Sequence, residues 1–199
     1  MNQSVNKTWE GEMGAALNRQ DPEALRALMR QLPARMLRFL SGRLYSADDS
    51  EKWQAVWGFG TVVGDRQLFG DERARDLLRR FFWALNDESG AVPHGVPEAI
   101  GEILAVRAEL QATFLPLLCA QLTEEEMLQT GPIERGVIWA LGRVGPPVAE
   151  TSPEAVAALQ RAAAGHPDPE TREIARGALG AVGGRTPPCG AAPSAISAA

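Results

Sequence analysis

A short phrase recurs along this chain at a nearly fixed interval, and that interval constrains the fold more than any other feature. Ala140-Leu141-Gly142-Arg143-Val144-Gly145 closes the stretch that begins at Glu134. Ala178-Leu179-Gly180-Ala181-Val182-Gly183 lies downstream, and Ala99-Ile100-Gly101-Glu102-Ile103-Leu104 and Gly58-Phe59-Gly60-Thr61-Val62-Val63-Gly64 lie upstream. Registered on the glycine after the large apolar residue, the anchors are Gly60, Gly101, Gly142 and Gly180, which are 41, 41 and 38 residues apart. A period of this size is the mark of stacked two-helix units, each burying its apolar face only against its neighbours. The expected fold is therefore all-α, a right-handed α-solenoid of about four to five helix pairs.

With 199 residues the chain is long enough for that number of units, and at 45% hydrophobic and 23% charged it can bury a core. The formal net charge of −5 argues against a protein whose main task is gripping nucleic-acid phosphates. Cys119 and Cys189 form neither a disulfide framework nor a metal motif, and Cys119, in an apolar run, is expected to be a buried small hydrophobe. Met1 to Lys7 lacks the apolar core of a signal peptide, and no run reaches the roughly 18 apolar residues of a membrane span. A cytoplasmic protein with no membrane association is the expectation.

Helix starts and stops can be read in order. Residues 4–19 place Trp9, Met13 and Leu17 on one face. Asp21-Pro22-Glu23 combines an N-cap, a first-turn proline and an acid, opening a helix to Leu32. Pro33 opens another, with Met36, Leu37, Leu40 and Leu44 aligned. Asp48-Asp49-Ser50 caps a helix to about Val63, and Asp71 to Leu85 forms a long one, apolar at Phe81, Phe82, Trp83 and Leu85. A turn is expected over Asn86 to Gly95, then a helix ending near Ala105 and another over Leu110 to Leu122. Thr123-Glu124-Glu125-Glu126 has the spacing of a capping box. Gly131-Pro132, Ser152-Pro153 and Asp168-Pro169 open the last three helices. No stretch has the alternation of a strand. Residues 1–183 are expected to form one domain, with 1–45 as capping helices and 46–183 as repeats, followed by a disordered tail over 184–199.

Two units share a further pattern. In Asp168-Pro-Glu-Thr-Arg172 and Asp48-Asp-Ser-Glu-Lys52 the Asp stands twelve residues before the anchor glycine and the basic residue eight before. Together with Ala-Leu-Gly-x-Ile/Val-Gly, this resembles the HEAT repeat, and within it the bacterial HEAT-like type first noted in phycobilisome lyases. The resemblance covers roughly residues 46–183. The second unit departs from it, with Pro93 and Pro97 where helix should run, and the first has Trp where the family usually has Ala. It implies an armadillo-type solenoid and says little about function.

Wound at about 100° per residue, each second helix places positions −9, −5, −2, −1 and +2 from its anchor on one arc, the expected core. Small residues at −2, namely Gly58, Ala99, Ala140 and Ala178, suit close approach of neighbouring helices. The opposite arc, −7, −3 and 0, is expected to be the most exposed line and, by the resemblance, to line the concave surface. It carries Trp53, Trp57, His94, Glu98, Arg135 and Trp139. Trp and Arg dominate binding hot spots, so these six are the candidate partner-binding residues. A second placement stands beside this one: Trp53 and Trp57 as core beneath residues 4–44, His94 as a helix cap, and Glu98 and Arg135 as an ion pair between repeats.

Neither His94 nor His166 is followed by Glu, so the iron site of HEAT-repeat deoxyhypusine hydroxylases is not expected. There is no Cys-x-x-Cys, phosphate-binding loop, dinucleotide fingerprint or nucleophile elbow. Arg73, Arg75, Arg79 and Arg80 are interleaved with Asp71, Glu72 and Asp76 and read as a solvated face. The expected function is a non-enzymatic scaffold or assembly factor that clasps another protein on the concave face, with no cofactor and no metal. The resemblance supplies two alternatives: a lyase-type subunit holding a tetrapyrrole, and a HEAT-like DNA glycosylase, against which the acidic balance speaks.

Overall fold

Four of the expected N-caps close as hydrogen bonds. Asp21 accepts from the Ala24 amide, Asp48 from Ser50 and Glu51, Ser152 from Ala155, and Asp168 from Glu170 and Thr171. Each satisfies amides that a helix start leaves open. The computed structural model describes residues 2–86, 94–127 and 129–185, with side chains from Trp9 onward. Eleven α-helices lie in these segments: α1 (Asn2–Asn18), α2 (Pro22–Gln31), α3 (Pro33–Arg43), α4 (Asp49–Gly64), α5 (Asp71–Leu85), α6 (Val96–Val106), α7 (Gln111–Thr123), α8 (Gly131–Val144), α9 (Pro147–Thr151), α10 (Pro153–Gly165) and α11 (Pro169–Val182). Short 3-10 turns at Ala108–Leu110 and Glu125–Met127 precede and follow α7, and there is no strand among the described residues.

The helices pack as an α-solenoid. Outer helices α3, α5, α7 and α10 each precede and pack against an inner helix, α4, α6, α8 and α11, and the inner helices stack side by side in chain order. This makes four pairs. Helices α1 and α2 lie against α4 and close that end, and Leu17 of α1 and Leu40 of α3 press on Gly58. The expected core stripe holds: Phe59, Ile100 and Leu141 at −1 and Val62, Ile103, Val144 and Val182 at +2 are buried, and Leu179 is half-buried. Cys119 is buried as expected, and burial pushes its thiol up to about 11.

Three expectations need correction. Thr123 does not open a capping box; it ends α7, its hydroxyl donating to the Cys119 carbonyl one turn back. Trp83 does not join Phe81, Phe82 and Leu85 in the core but stands 78% exposed, because its bearing on α5 lies about 100° past Phe82, outside the arc of the buried residues. The anchor glycines do not line an open groove. A Cβ on Gly101 would lie 2.5 Å from Ala140 Cα, and one on Gly142 2.7 Å from Ala178 Cα. Position 0 of one inner helix therefore faces position −2 of the next, and only glycine lets the backbones come so close. The expected turn over Asn86 to Gly95 falls largely, and the tail over 184–199 almost entirely, outside the described residues.

Candidate partner-binding face

Stacking this tight leaves little of an inner helix free. On α6 every residue from Val96 to Leu104 is buried, including Glu98 and Glu102. The line expected to be exposed is instead covered by side chains arriving from the helices on either side. Trp53 of α4 and Trp139 of α8 meet edge to face over α6, ring centroids 4.8 Å apart at 62°. They belong to the first and third pairs, so side chains two units apart meet.

Trp53, Trp139 and Glu98 are 9%, 4% and 4% exposed, which corrects the expectation that they line an open surface. Trp53 is core, as the second placement has it, and the ring that meets it is Trp139. Trp57, His94 and Arg135 are partly exposed. Arg135 is also tied down: Nη1 lies 3.2 Å from Asp168 Oδ2 and Nε 3.7 Å from Glu170 Oε2, joining α8 to the start of α11. Asp168 is held at about 2, first by the Thr171 hydroxyl that donates to it and further by Arg135. Glu98 and Arg135 do form ion pairs between repeats, but not with each other.

The partner of Glu98 is Lys52. Its Nζ lies 3.7 Å from Glu98 Oε1, 2.9 Å from Asp49 Oδ1 and 5.0 Å from the Trp53 ring centroid. Glu98 Oε2 has no hydrogen-bond partner among the described residues, and neither does the buried Nε1 of Trp139. Oε2 instead points at α8, where a Cβ on Gly136 would come within 2.7 Å of it. Burial raises the Glu98 carboxyl from 4.5 to about 7, against the smaller opposing pull of Lys52.

One turn along, Glu102 receives two hydrogen bonds from Arg143, Nε to Oε2 at 2.6 Å and Nη2 to Oε1 at 3.1 Å. The Glu102 stem also fills the space beside Gly60, where a Cβ would lie 2.6 Å from Cγ. Sequence reasoning missed this pair, yet its signal was present: Glu102 and Arg143 each directly follow an anchor glycine, so the period puts opposite charges side by side. Lys52 marks the repeat in the sequence, and its pairing with Glu98 shows only in the fold.

Elsewhere, a cavity of about 320 Å³ opens between α7, α8 and α10, floored by Ile138, Ala158 and Ala162 and rimmed by Glu134, Arg161 and His166. The Asp168 amide donates to His166 Nδ1 at 3.1 Å, so the ring proton sits on Nε2, 3.4 Å from Glu134 Oε2. With both nitrogens engaged, this imidazole has no lone pair free to act as a base. No cluster of three or more His, Cys, Asp or Glu suited to a metal ion occurs among the described residues. No single described helix is long and apolar enough to cross a membrane.

No protein-family model matches the chain, and no curated protein matches it. Among solved structures, it is similar to the designed armadillo repeat protein YIII(Dq)4CqI, at 20% identity and a TM-score of 0.47, over 80% of this chain and 68% of that one. A second is the designed armadillo repeat protein YIII(Dq.V1)4CPAF in complex with the peptide (KR)4, at 20% identity and 0.49, over 81% and 69%. The repeat architecture described here rests on the stacking of this chain's own helices.

Proposed function

We propose that this chain is a non-enzymatic interaction scaffold that holds a partner protein on its concave face. The observation that carries this reading is the row of Trp57, His94 and Arg135. These side chains remain partly exposed along the inner line of α4, the turn before α6, and α8, whereas the rest of that line is closed. Close backbone approach at Gly101 and Gly142 fixes α6, α8 and α11 against one another, so Arg135 is presented from a helix with little main-chain freedom to lose on binding. Partly exposed Trp and Arg side chains are the residue types that anchor interfaces. Trp53, Glu98 and Trp139 form the floor under that row. A partner segment with an apolar side chain for Trp57 and a carboxylate or backbone carbonyl for Arg135 suits it best.

The test is affinity capture from the source cells with the intact protein and a Trp57→Ala/Arg135→Ala variant shown by circular dichroism to fold. A partner held by the first should be lost by the second, since one anchor is worth about 2 kcal/mol or more of binding, a loss of roughly thirtyfold. Equal capture by both would mean that another surface binds.

A further inference from the structure

Glu98 is a carboxyl in an unusual position. It is buried on α6 between Lys52 of α4, next in sequence to Trp53, and Gly136 of α8, one turn before Trp139; one oxygen is 3.7 Å from Lys52 and the other faces the Gly136 backbone with no donor among the described residues. Lys52 itself is already close to Asp49 and lies over the Trp53 ring, so it is satisfied whether or not Glu98 is charged. A neutral carboxyl tolerates this site. An ionised one lacks donors at Oε2 and must either recruit water or move.

The other charges around Glu98 do not supply that donor. From α4 come Asp49 and Lys52. From α6 itself comes Glu102, held by Arg143, and from the turn before α6 comes His94. From α8 comes Arg135, engaged with Asp168 and Glu170. Helices α5 and α7 pack behind α6 and bury mainly apolar side chains such as Leu78, Phe82, Leu115 and Leu118. Trp53 and Trp139, from the helices that flank α6, belong to different units, so the two rings can part without breaking a helix.

We propose that Glu98 is a proton-controlled latch on the concave face: protonated, it lies shut between α4 and α8 with Trp53 and Trp139 in contact; ionised, it admits water, parts the two rings and opens the floor between α4 and α8 to the partner. This rests on the concave-face reading given above. Its proton is lost near pH 7, and the latch is poised where small changes in acidity tip it. Opening would add Trp53 and Trp139 to the anchors offered by Trp57.

Intrinsic fluorescence tests the latch without any partner. The protein would carry Trp9→Phe and Trp83→Phe, leaving Trp53, Trp57 and Trp139 to report, and be titrated from about pH 5.5 to about pH 8.5 with acrylamide quenching. Emission should shift to the red and quenching should rise as the pH passes through neutrality. Glu98→Gln should abolish the transition, whereas His94→Gln and His166→Gln should retain it. Should Glu98→Gln fail to fold, Lys52→Met supplies the same test. Removing the cation that favours the ionised form should move the midpoint up by about one pH unit. A flat wild-type titration overturns the latch, as does a transition that survives in Glu98→Gln or ignores Lys52→Met. A fluorescence transition with no partner captured at any pH would leave the latch standing and sink the binding surface. A partner captured through Trp57 and Arg135 with flat fluorescence would do the reverse.

Discussion

Arg107 joins three separate parts of the chain. Fully buried, it donates from Nη1 to the carbonyls of Val63 (2.7 Å) and Phe69 (3.0 Å), from Nη2 to Asp71 (2.6 Å) and from Nε to Glu109. It thus ties the end of α4, the corner before α5 and the 3-10 turn after α6. Arg107→Met should cost about 3–5 kcal/mol in urea unfolding, because it strands buried acceptors. Arg107→Lys should recover little, since an ammonium cannot span the same fork of partners. Nothing in the sequence marked this residue, because a charged side chain just past a helix end reads as solvated. Glu98 acts in the opposite sense. The unfolded carboxyl loses its proton near 4.5 and the folded one near 7, so between these values the native state binds more protons. Its effect is mildest at the acidic end of that window, and stability falls as pH rises through it. Above it, the native state is less stable by up to about 3 kcal/mol than with an unperturbed carboxyl. Urea midpoints of wild type measured at pH values on either side of the window should show this decline, and Glu98→Gln should flatten it.

Among the elements, the inner helices show why glycine recurs. Gly101→Ala forces a methyl against the Ala140 backbone and should destabilise by about 1–3 kcal/mol despite the better helix propensity of alanine. Gly177→Ala, in α11 with nothing within 4 Å of the added methyl, should stabilise by up to about 1 kcal/mol. Thermal unfolding of the two variants separates packing from propensity. The period, the caps and the core stripe were legible in the residues because they depend on local geometry. The free face was not. A helical wheel gives each residue a bearing on one helix, but how many neighbours occupy that bearing depends on curvature. At α6 both flanks are taken and the arc with no covering neighbour shrinks to nothing, which is why Glu98 and Trp139 are buried where the wheel left them exposed. On α11, which has an inner neighbour on one side only, Glu173 and Gly177 at the same positions are exposed, as expected.

Across the whole molecule, the contact between Trp53 and Trp139 departs from the rule that a repeat touches only its neighbours. A double-mutant cycle on Trp53→Ala and Trp139→Ala should return a coupling of about 0.5–1.5 kcal/mol, whereas residues in the first and fourth pairs should be additive. Direct coupling of the first and third pairs should also make the array unfold in one transition by fluorescence and circular dichroism. The joints between units are of two kinds. Gly101 on Ala140 and Gly142 on Ala178 are the same joint used twice, while Gly60 meets the stem of Glu102. A duplicated third unit could therefore be spliced between the third and the fourth and find matching surfaces on both sides. The same cassette set between the first and second would meet a glycine shaped for glutamate and would carry Trp139 out of reach of Trp53. Lengthening by duplication is open to this chain at one end of the array and barred at the other.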